Sequence, residues 1–196
     1  MGSTDRKKAV FLDRDGTINE EMGYINHIER FKIFEFVPEA IKILNDAGYL
    51  VIVVTNQSGV ARGYFPEDLV KKVHGDMLES LKAKKARIDK IYYCPHHPSE
   101  GVGAYKKDCK CRKPGTGMIT MAQEKFNIDL SKSYMVGDRY KDILFAEKAG
   151  LSPIMVKTGY GIGEFEHQQA SWKIQPHFIA QNLLDAAIFI KNNTVG

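Results

Sequence analysis

The chain has 196 residues, 43% of them hydrophobic and 27% charged, with a net charge of +4. That length suits one domain with a real core, here read as residues 1–196, and the proportions are those of a globular protein. The net charge is mild and the basic residues are scattered outside Lys106–Lys113, which argues against a nucleic-acid surface, and no apolar run approaches the length of a membrane span.

The opening residues, Met1 to Lys8, are polar and lack the apolar segment of a signal peptide. Arg6 stands where a myristoylation pattern needs Ser or Thr. A cytoplasmic protein with reduced cysteines is expected. The three cysteines, an odd number, fit that expectation better than a disulfide framework.

Short apolar runs then alternate with segments of helical period. Lys8–Leu12 reads as a strand. Pro38–Asp46 reads as a helix with proline in its first turn and Gly48 beyond its end. Tyr49–Val54 is an almost unbroken apolar run, as expected of a strand with helices on both sheet faces. Pro66–Lys85 carries Leu69, Val70, Val73, Met77, Leu78 and Leu81 at helical spacing. Ile88–Tyr93 is the third strand and Gly117–Phe126 the next helix. Ser133–Val136 is the fourth strand, followed by a helix at Asp142–Ala149 stopped by Gly150. Pro153–Val156 is the fifth strand, and Phe178–Ile190 is expected to be the last helix. The alternation predicts an α/β fold, a Rossmann-like three-layer sandwich around a central parallel sheet with right-handed crossovers. No gap between motifs is long enough for a separate cap domain.

In such sheets ligands bind beyond the carboxyl ends of the strands. Four polar clusters fall there. The first is Asp13-Arg14-Asp15-Gly16-Thr17. Two carboxylates where a buried strand ends need a neutralising partner, which a divalent cation and a phosphate supply; a solvated turn is the plainer alternative. On the chemical reading Asp13 attacks phosphorus. Asp15 protonates the leaving alkoxide and later deprotonates water. Mg²⁺ suits the site through its preference for oxygen ligands and its retention of water.

The second cluster is Thr55-Asn56-Gln57-Ser58-Gly59, where the Thr55 hydroxyl and nearby backbone N–H groups face the phosphoryl oxygens. Asn56, Gln57 and Ser58 are candidate substrate contacts. The third, after the third strand, is Cys94-Pro95-His96-His97, and Arg112-Lys113-Pro114 stands further along the chain beside a helix start. Lys113 would neutralise the crowded oxyanions, and Arg112 would fork onto a second anionic group. The fourth is Gly137-Asp138-Arg139-Tyr140-Lys141-Asp142. Asp138 is read as a Mg²⁺ ligand or a helix cap, and Asp142 as orienting water or Lys113.

Every cysteine lies in Cys94-x-His96-x12-Cys109-x-Cys111. Three thiols and an imidazole form a tetrahedral set for structural Zn²⁺. His97 is an alternative to His96, and buried free thiols an alternative to a metal site. A closed site would pin the loop, about 94–111, that leads into Arg112 and Lys113. Trp172 is expected to pack. His27, His74, His167 and His177 have no partner visible in the sequence, and the glycine-rich Gly159–Gly163 lacks a dinucleotide context.

The four clusters in this order resemble the haloacid dehalogenase superfamily of phosphotransferases, through Asp13-x-Asp15-Gly16-Thr17, Thr55, Lys113, and Asp138 with Asp142. The segments Thr55–Gly63, Tyr92–Pro98 and Cys109–Pro114 narrow the likeness to the histidinol-phosphatase-like branch, over about Lys8 to Ile190. The resemblance implies Mg²⁺-dependent removal of the C7 phosphate of D-glycero-D-manno-heptose 1,7-bisphosphate, in heptose precursor synthesis for lipopolysaccharide core or surface glycan. Histidinol phosphate is the alternative substrate, and an anion-binding zinc module without catalysis is a remote one. Carried over by motif, Asp13 is the nucleophile and Asp15 the acid and base. Asp13, the Asp15 carbonyl and Asp138 hold Mg²⁺; Thr55 and Lys113 hold the phosphoryl group. Cys94, His96, Cys109 and Cys111 hold Zn²⁺. Glu21-Met22-Gly23-Tyr24 matches a substrate-contacting loop. Arg112 reads the substrate, as does Arg139, which stands where relatives often have Lys. A monomer acting on a small sugar bisphosphate, with no nucleic-acid or membrane partner, is expected.

Overall fold

The computed structural model describes residues 6–194. The stretch Met1–Asp5, which carries most of the leader reading, lies outside the described residues. Strands β1 (Ala9–Leu12), β2 (Leu50–Asn56), β3 (Lys90–Cys94), β4 (Tyr134–Gly137), β5 (Ser152–Val156) and β6 (Phe178–Ala180) form one sheet in the order β3-β2-β1-β4-β5-β6. Every pairing is parallel, with Val10 opposite Val51 on one side and Tyr134 on the other. Helices α1 (Val37–Asp46), α2 (Glu67–Ala83), α3 (Gly117–Phe126), α4 (Tyr140–Ala149), α5 (Gly161–Gln168) and α6 (Leu183–Asn192) complete the element order.

The two-residue period of β1 explains the layers. Val10 and Leu12 point to one face, where they meet Ile41 and Leu44 of α1, Met77 and Leu81 of α2, and Ala187 and Ile190 of α6. Ala9 and Phe11 point to the other, against Met118 and Ala122 of α3 and Phe145 of α4. All four β1 residues are fully buried. Each such large side chain contributes about 1.5–3 kcal/mol through burial. Charge is therefore pushed off the strand, to Lys8 before it and Asp13 after it.

One expected element is corrected. The run Phe178–Ile190 is not a single helix: Phe178–Ala180 pairs with β5 as the edge strand, and the helix begins at Leu183. Asn182 makes the break, since its side chain accepts hydrogen bonds from the Leu184 and Asp185 N–H groups. Helix α5, in a segment assigned no element from sequence, packs its Phe165 with Trp172 against Ile143 and Met155. Trp172 is buried there and stacks on Tyr140 at 5.0 Å, as its packing role predicts.

Candidate active site

The strand order reverses at β1, between β2 and β4, and a crevice opens at the carboxyl ends there. The Asp13 N–H donates to the Val136 carbonyl at 2.9 Å, fastening the first loop to β4. Asp13 is 6% exposed. Its Oδ1 accepts from the Arg14 N–H at 2.8 Å, and its Oδ2 lies 2.9 Å from Lys113 Nζ. Lys113 also lies 2.8 Å from Asp142 Oδ1, with both side chains fully buried. The angles at Lys113 Nζ are not those of hydrogen bonds, but charge attraction at these distances does not depend on angle. Burial works against the Lys113 ammonium, and the charges of Asp13 and Asp142 outweigh it and raise its pKa.

Lys113 reaches this position because Asn56, at the end of β2, clasps its backbone. Asn56 Oδ1 accepts from the Lys113 N–H at 3.0 Å, and Nδ2 donates to the Lys113 carbonyl at 3.2 Å. Asp142 is fixed in turn at the start of α4, where its Oδ2 accepts from the Arg139 N–H at 3.2 Å. Asp142 Oδ1 is thereby held facing the Lys113 ammonium.

Carboxylate oxygens of Asp13, Asp138 and Asp142 all lie within 4.8 Å of one another. Asp138 is raised well above the usual carboxylate range, first by burial and then by the charges of Asp13 and Asp142. Asp13 is also raised, by burial, with Lys113 opposing. Three buried carboxyl groups share one buried ammonium, and the raised Asp13 and Asp138 record the shortage of positive charge there. An oxygen-only set with that deficit fits Mg²⁺. The space beside it is kept by glycine: Gly16, at φ +78°, and Gly159, at φ +57°, both lie where a Cβ would collide with the Asp138 carboxylate. Tyr160 N–H donates to Asp138 Oδ2 at 2.9 Å and orients it.

Asp15 is handled differently. Burial alone would raise its carboxyl, but Arg14, with help from Asn19 and Gln57, outweighs this and holds it below the ordinary range. Gln57 Nε2 donates to Asp15 Oδ2 at 2.8 Å and to Thr55 Oγ1 at 2.9 Å, joining the first two clusters.

Cys94, His96, Cys109 and Cys111 converge as the spacing predicts. The sulfurs are 3.1–3.3 Å apart and His96 Nδ1 is 3.6 Å from Cys111 and 3.7 Å from Cys94. A disulfide needs about 2.05 Å, so these are free thiols. A Zn–S shell spaces its sulfurs by roughly 3.8 Å. A soft, carboxylate-free donor set slightly tighter than that fits Zn²⁺. His97 points elsewhere, with its Nε2 3.2 Å from Arg62 Nη2. The cluster anchors Arg112, whose Nη1 donates to the His96 carbonyl at 3.2 Å.

A cavity of about 250 Å³ sits over these groups, and Asp13, Asp15, Glu21, Gly23, Tyr24, Thr55, Asn56, Ser58, Arg112, Asp138 and Arg139 line it. Met22 and Gln57 do not line it; Gln57 is buried behind, while Met22 is 36% exposed. Lys113 lies behind Asp13. Arg62, Lys141 and Tyr160 line the cavity as well, although the sequence reading did not include them. Arg62 lies within Thr55–Gly63, where its positive charge was the available signal. Arg139 is held at the rim: its Nε donates to Glu164 Oε1 at 2.6 Å and its Cζ lies 4.3 Å from the Tyr160 ring centre.

A HAD-hydrolase-like family model matches residues 110–186. The chain is 50% identical over 158 residues to D-glycero-beta-D-manno-heptose-1,7-bisphosphate 7-phosphatase of Haemophilus ducreyi, covering 80% of this chain and 86% of that one. It is 41% identical over 165 residues to the protein of the same name from Escherichia coli, covering 84% and 86%. The crystal structure of D,D-heptose 1,7-bisphosphate phosphatase from B. bronchiseptica, complexed with magnesium and phosphate, superposes with a TM-score of 0.83 at 29% identity, covering 95% of this chain and 99% of that one.

Proposed function

We propose, for this chain, which belongs to the D-glycero-beta-D-manno-heptose-1,7-bisphosphate 7-phosphatase family of HAD-like hydrolases, a reaction carried by the carboxylates at the end of β1. The chain is a phosphoric monoester hydrolase that removes the C7 phosphate of heptose 1,7-bisphosphate. The observation that carries the residue assignment is the contrast between its two carboxylates: Asp13 against a buried ammonium, Asp15 forked by a guanidinium.

An Asp13 oxygen attacks the C7 phosphorus, forming an Asp13–phosphorus bond as the bond from phosphorus to the C7 oxygen breaks. Asp15 is ionised in the free site; on this reading the substrate phosphate arrives as its monoanion and passes its proton to Asp15, which gives it to the departing alkoxide. The Asp15 carboxylate then takes a proton from water, whose oxygen attacks the same phosphorus. The Asp13–phosphorus bond breaks, and inorganic phosphate and free Asp13 result. Lys113 neutralises oxyanion charge throughout, and the Thr55 hydroxyl donates to a phosphoryl oxygen. Asp13, Asp138 and the Asp15 main-chain carbonyl would hold Mg²⁺, which supplies further neutralisation of the phosphoryl oxygens.

Arg62, Arg112 and Arg139 around the cavity mouth support a substrate with a second anionic group, and the names of the relatives support the β anomer. Glu21, Gly23, Tyr24, Asn56 and Ser58 contact the sugar on this reading. No helix among the described residues is long and apolar enough to cross a membrane, and the reading places the protein in the cytoplasm as a single domain.

The test is Mg²⁺-dependent phosphate release from both heptose 1,7-bisphosphate anomers and from histidinol phosphate. The expected result is the highest kcat/KM on the β bisphosphate, with Asp13→Asn losing more than roughly 10⁴-fold. Preference for histidinol phosphate would replace the substrate assignment, and an active Asp13→Asn would remove the nucleophile.

A further inference from the structure

We infer that Arg14 and His74 are positioning residues that aim the Asp15 carboxylate, with His74 on α2 anchoring the guanidinium that grips it. The inference rests on the reading of Asp15 as acid and base. Arg14 stands between the two reacting carboxylates, yet it is 1% exposed and does not line the cavity. It cannot be reading substrate. Its Nη2 lies 2.7 and 2.8 Å from the two Asp15 oxygens, and its Nε donates to Oδ1 at 3.2 Å. A guanidinium fork of this kind fixes the plane of a carboxylate and not only its charge.

The far side of the fork is also occupied. Arg14 Nη1 lies 3.2 Å from His74 Nε2. A guanidinium has no acceptor, so Nε2 must accept and the ring must carry its proton on Nδ1. Burial first, and then the charge of Arg14, push the His74 pKa down to about 3, which keeps that lone pair free. His74 is 7% exposed between Val73 and Met77, both in the core, and its ring meets Tyr93 edge-on at 5.4 Å. Phe31 lies under the guanidinium at 5.8 Å. The anchor is therefore a packed helix sixty residues away in sequence. Asp15 keeps 22% of its side chain exposed toward the cavity while the other side is gripped. Asn19 and Gln57 also hold Asp15, so loss of the fork should leave a carboxylate that is present but free to turn.

The leaving group separates aiming from mere support. A C7 alkoxide needs a proton to leave, whereas p-nitrophenolate does not. Arg14→Met should lower kcat on heptose bisphosphate about 10²-fold, within the roughly 10²–10⁴ that acid–base catalysis supplies, with KM within twofold. His74→Leu should lose about tenfold. With p-nitrophenyl phosphate, rapid mixing should show Arg14→Met releasing its first equivalent of p-nitrophenolate near the wild-type rate. Steady turnover should then slow, because water activation still needs Asp15. His74→Gln, which keeps an acceptor for Nη1, should recover most of the His74→Leu loss. Equal loss in the first turnover on both substrates, no loss on either, or no recovery in His74→Gln would overturn the inference. Failure of the underlying reading looks different: the wild type would release phosphate from neither compound, or Asp13→Asn would stay active.

Discussion

Lowering the pH should cost this protein stability through one histidine, by an amount that can be worked out. In the unfolded chain His74 titrates near its ordinary 6.5, while in the fold burial and Arg14 hold it to about 3. Between those values the unfolded chain binds a proton that the fold refuses, so stability is complete above about pH 6.5 and falls as pH drops toward 3. At pH 5 about one unfolded imidazole in thirty is neutral, against nearly all in the fold, a penalty of about 2 kcal/mol. At pH 6 it is about 0.8 kcal/mol by the same relation. The pH 5 figure barely changes if the folded value is one unit higher, because the fold is unprotonated either way. The ring is 7% exposed, so solvent screening takes little from it. Denaturant unfolding of wild type and His74→Gln at pH 8, 6 and 5 measures the effect, since every other titrating group cancels in the difference. The wild type should lose about 2 kcal/mol more than His74→Gln between pH 8 and 5. Parallel losses would show that His74 takes up a proton in the fold, and the Nε2 acceptor argument would fail.

Two other outcomes follow from the site. Gly16→Ala places a methyl group against the Asp138 carboxylate at φ +78°; it should cost about 1–2 kcal/mol of stability from backbone strain. It should also raise the Mg²⁺ concentration needed for half-maximal activity at least tenfold, read by metal titration of activity and of Tm; an unchanged metal requirement would contradict Asp138 as a ligand. Removing Zn²⁺ with a soft-metal chelator, Mg²⁺ being kept in excess, should open residues 95–110 to proteolysis and lower kcat/KM, because Arg112 hangs from the His96 carbonyl. The sheet should stay folded, with far-UV circular dichroism nearly unchanged. Unchanged protection and activity would remove the zinc assignment.

The chemistry at the strand ends was legible because it is local. Asp13 and Asp15 follow an apolar run, Thr55 and Asp138 follow two more, and three thiols crowd into eighteen residues around His96. A buried strand excludes charge, so a charged pair at its end marks both the boundary and the site. The edge strand β6 was missed because Phe178-Ile179-Ala180 is too short to show a period of two, and only Asn182 marks the break. Helix α5 was missed because its glycines read as a loop; a Cβ at Gly161 would strike the Val156 carbonyl.

What the sequence by itself determined is the parallel α/β order that brings the polar clusters to one edge, and the family. Which groups serve which was decided by tertiary structure. His74 had no visible partner until α2 packed beside the first loop, and the bond from Gln57 that braces Asp15 could not be read from the chain. Arg139 gained Glu164 only when α5 folded back over β5. Residue type and spacing act within a few turns of chain, where periodicity and motif order are written. A buried ion pair or a shared proton acceptor depends on which surfaces the crossovers bring together, and its two halves lie 25 to 100 residues apart in this chain.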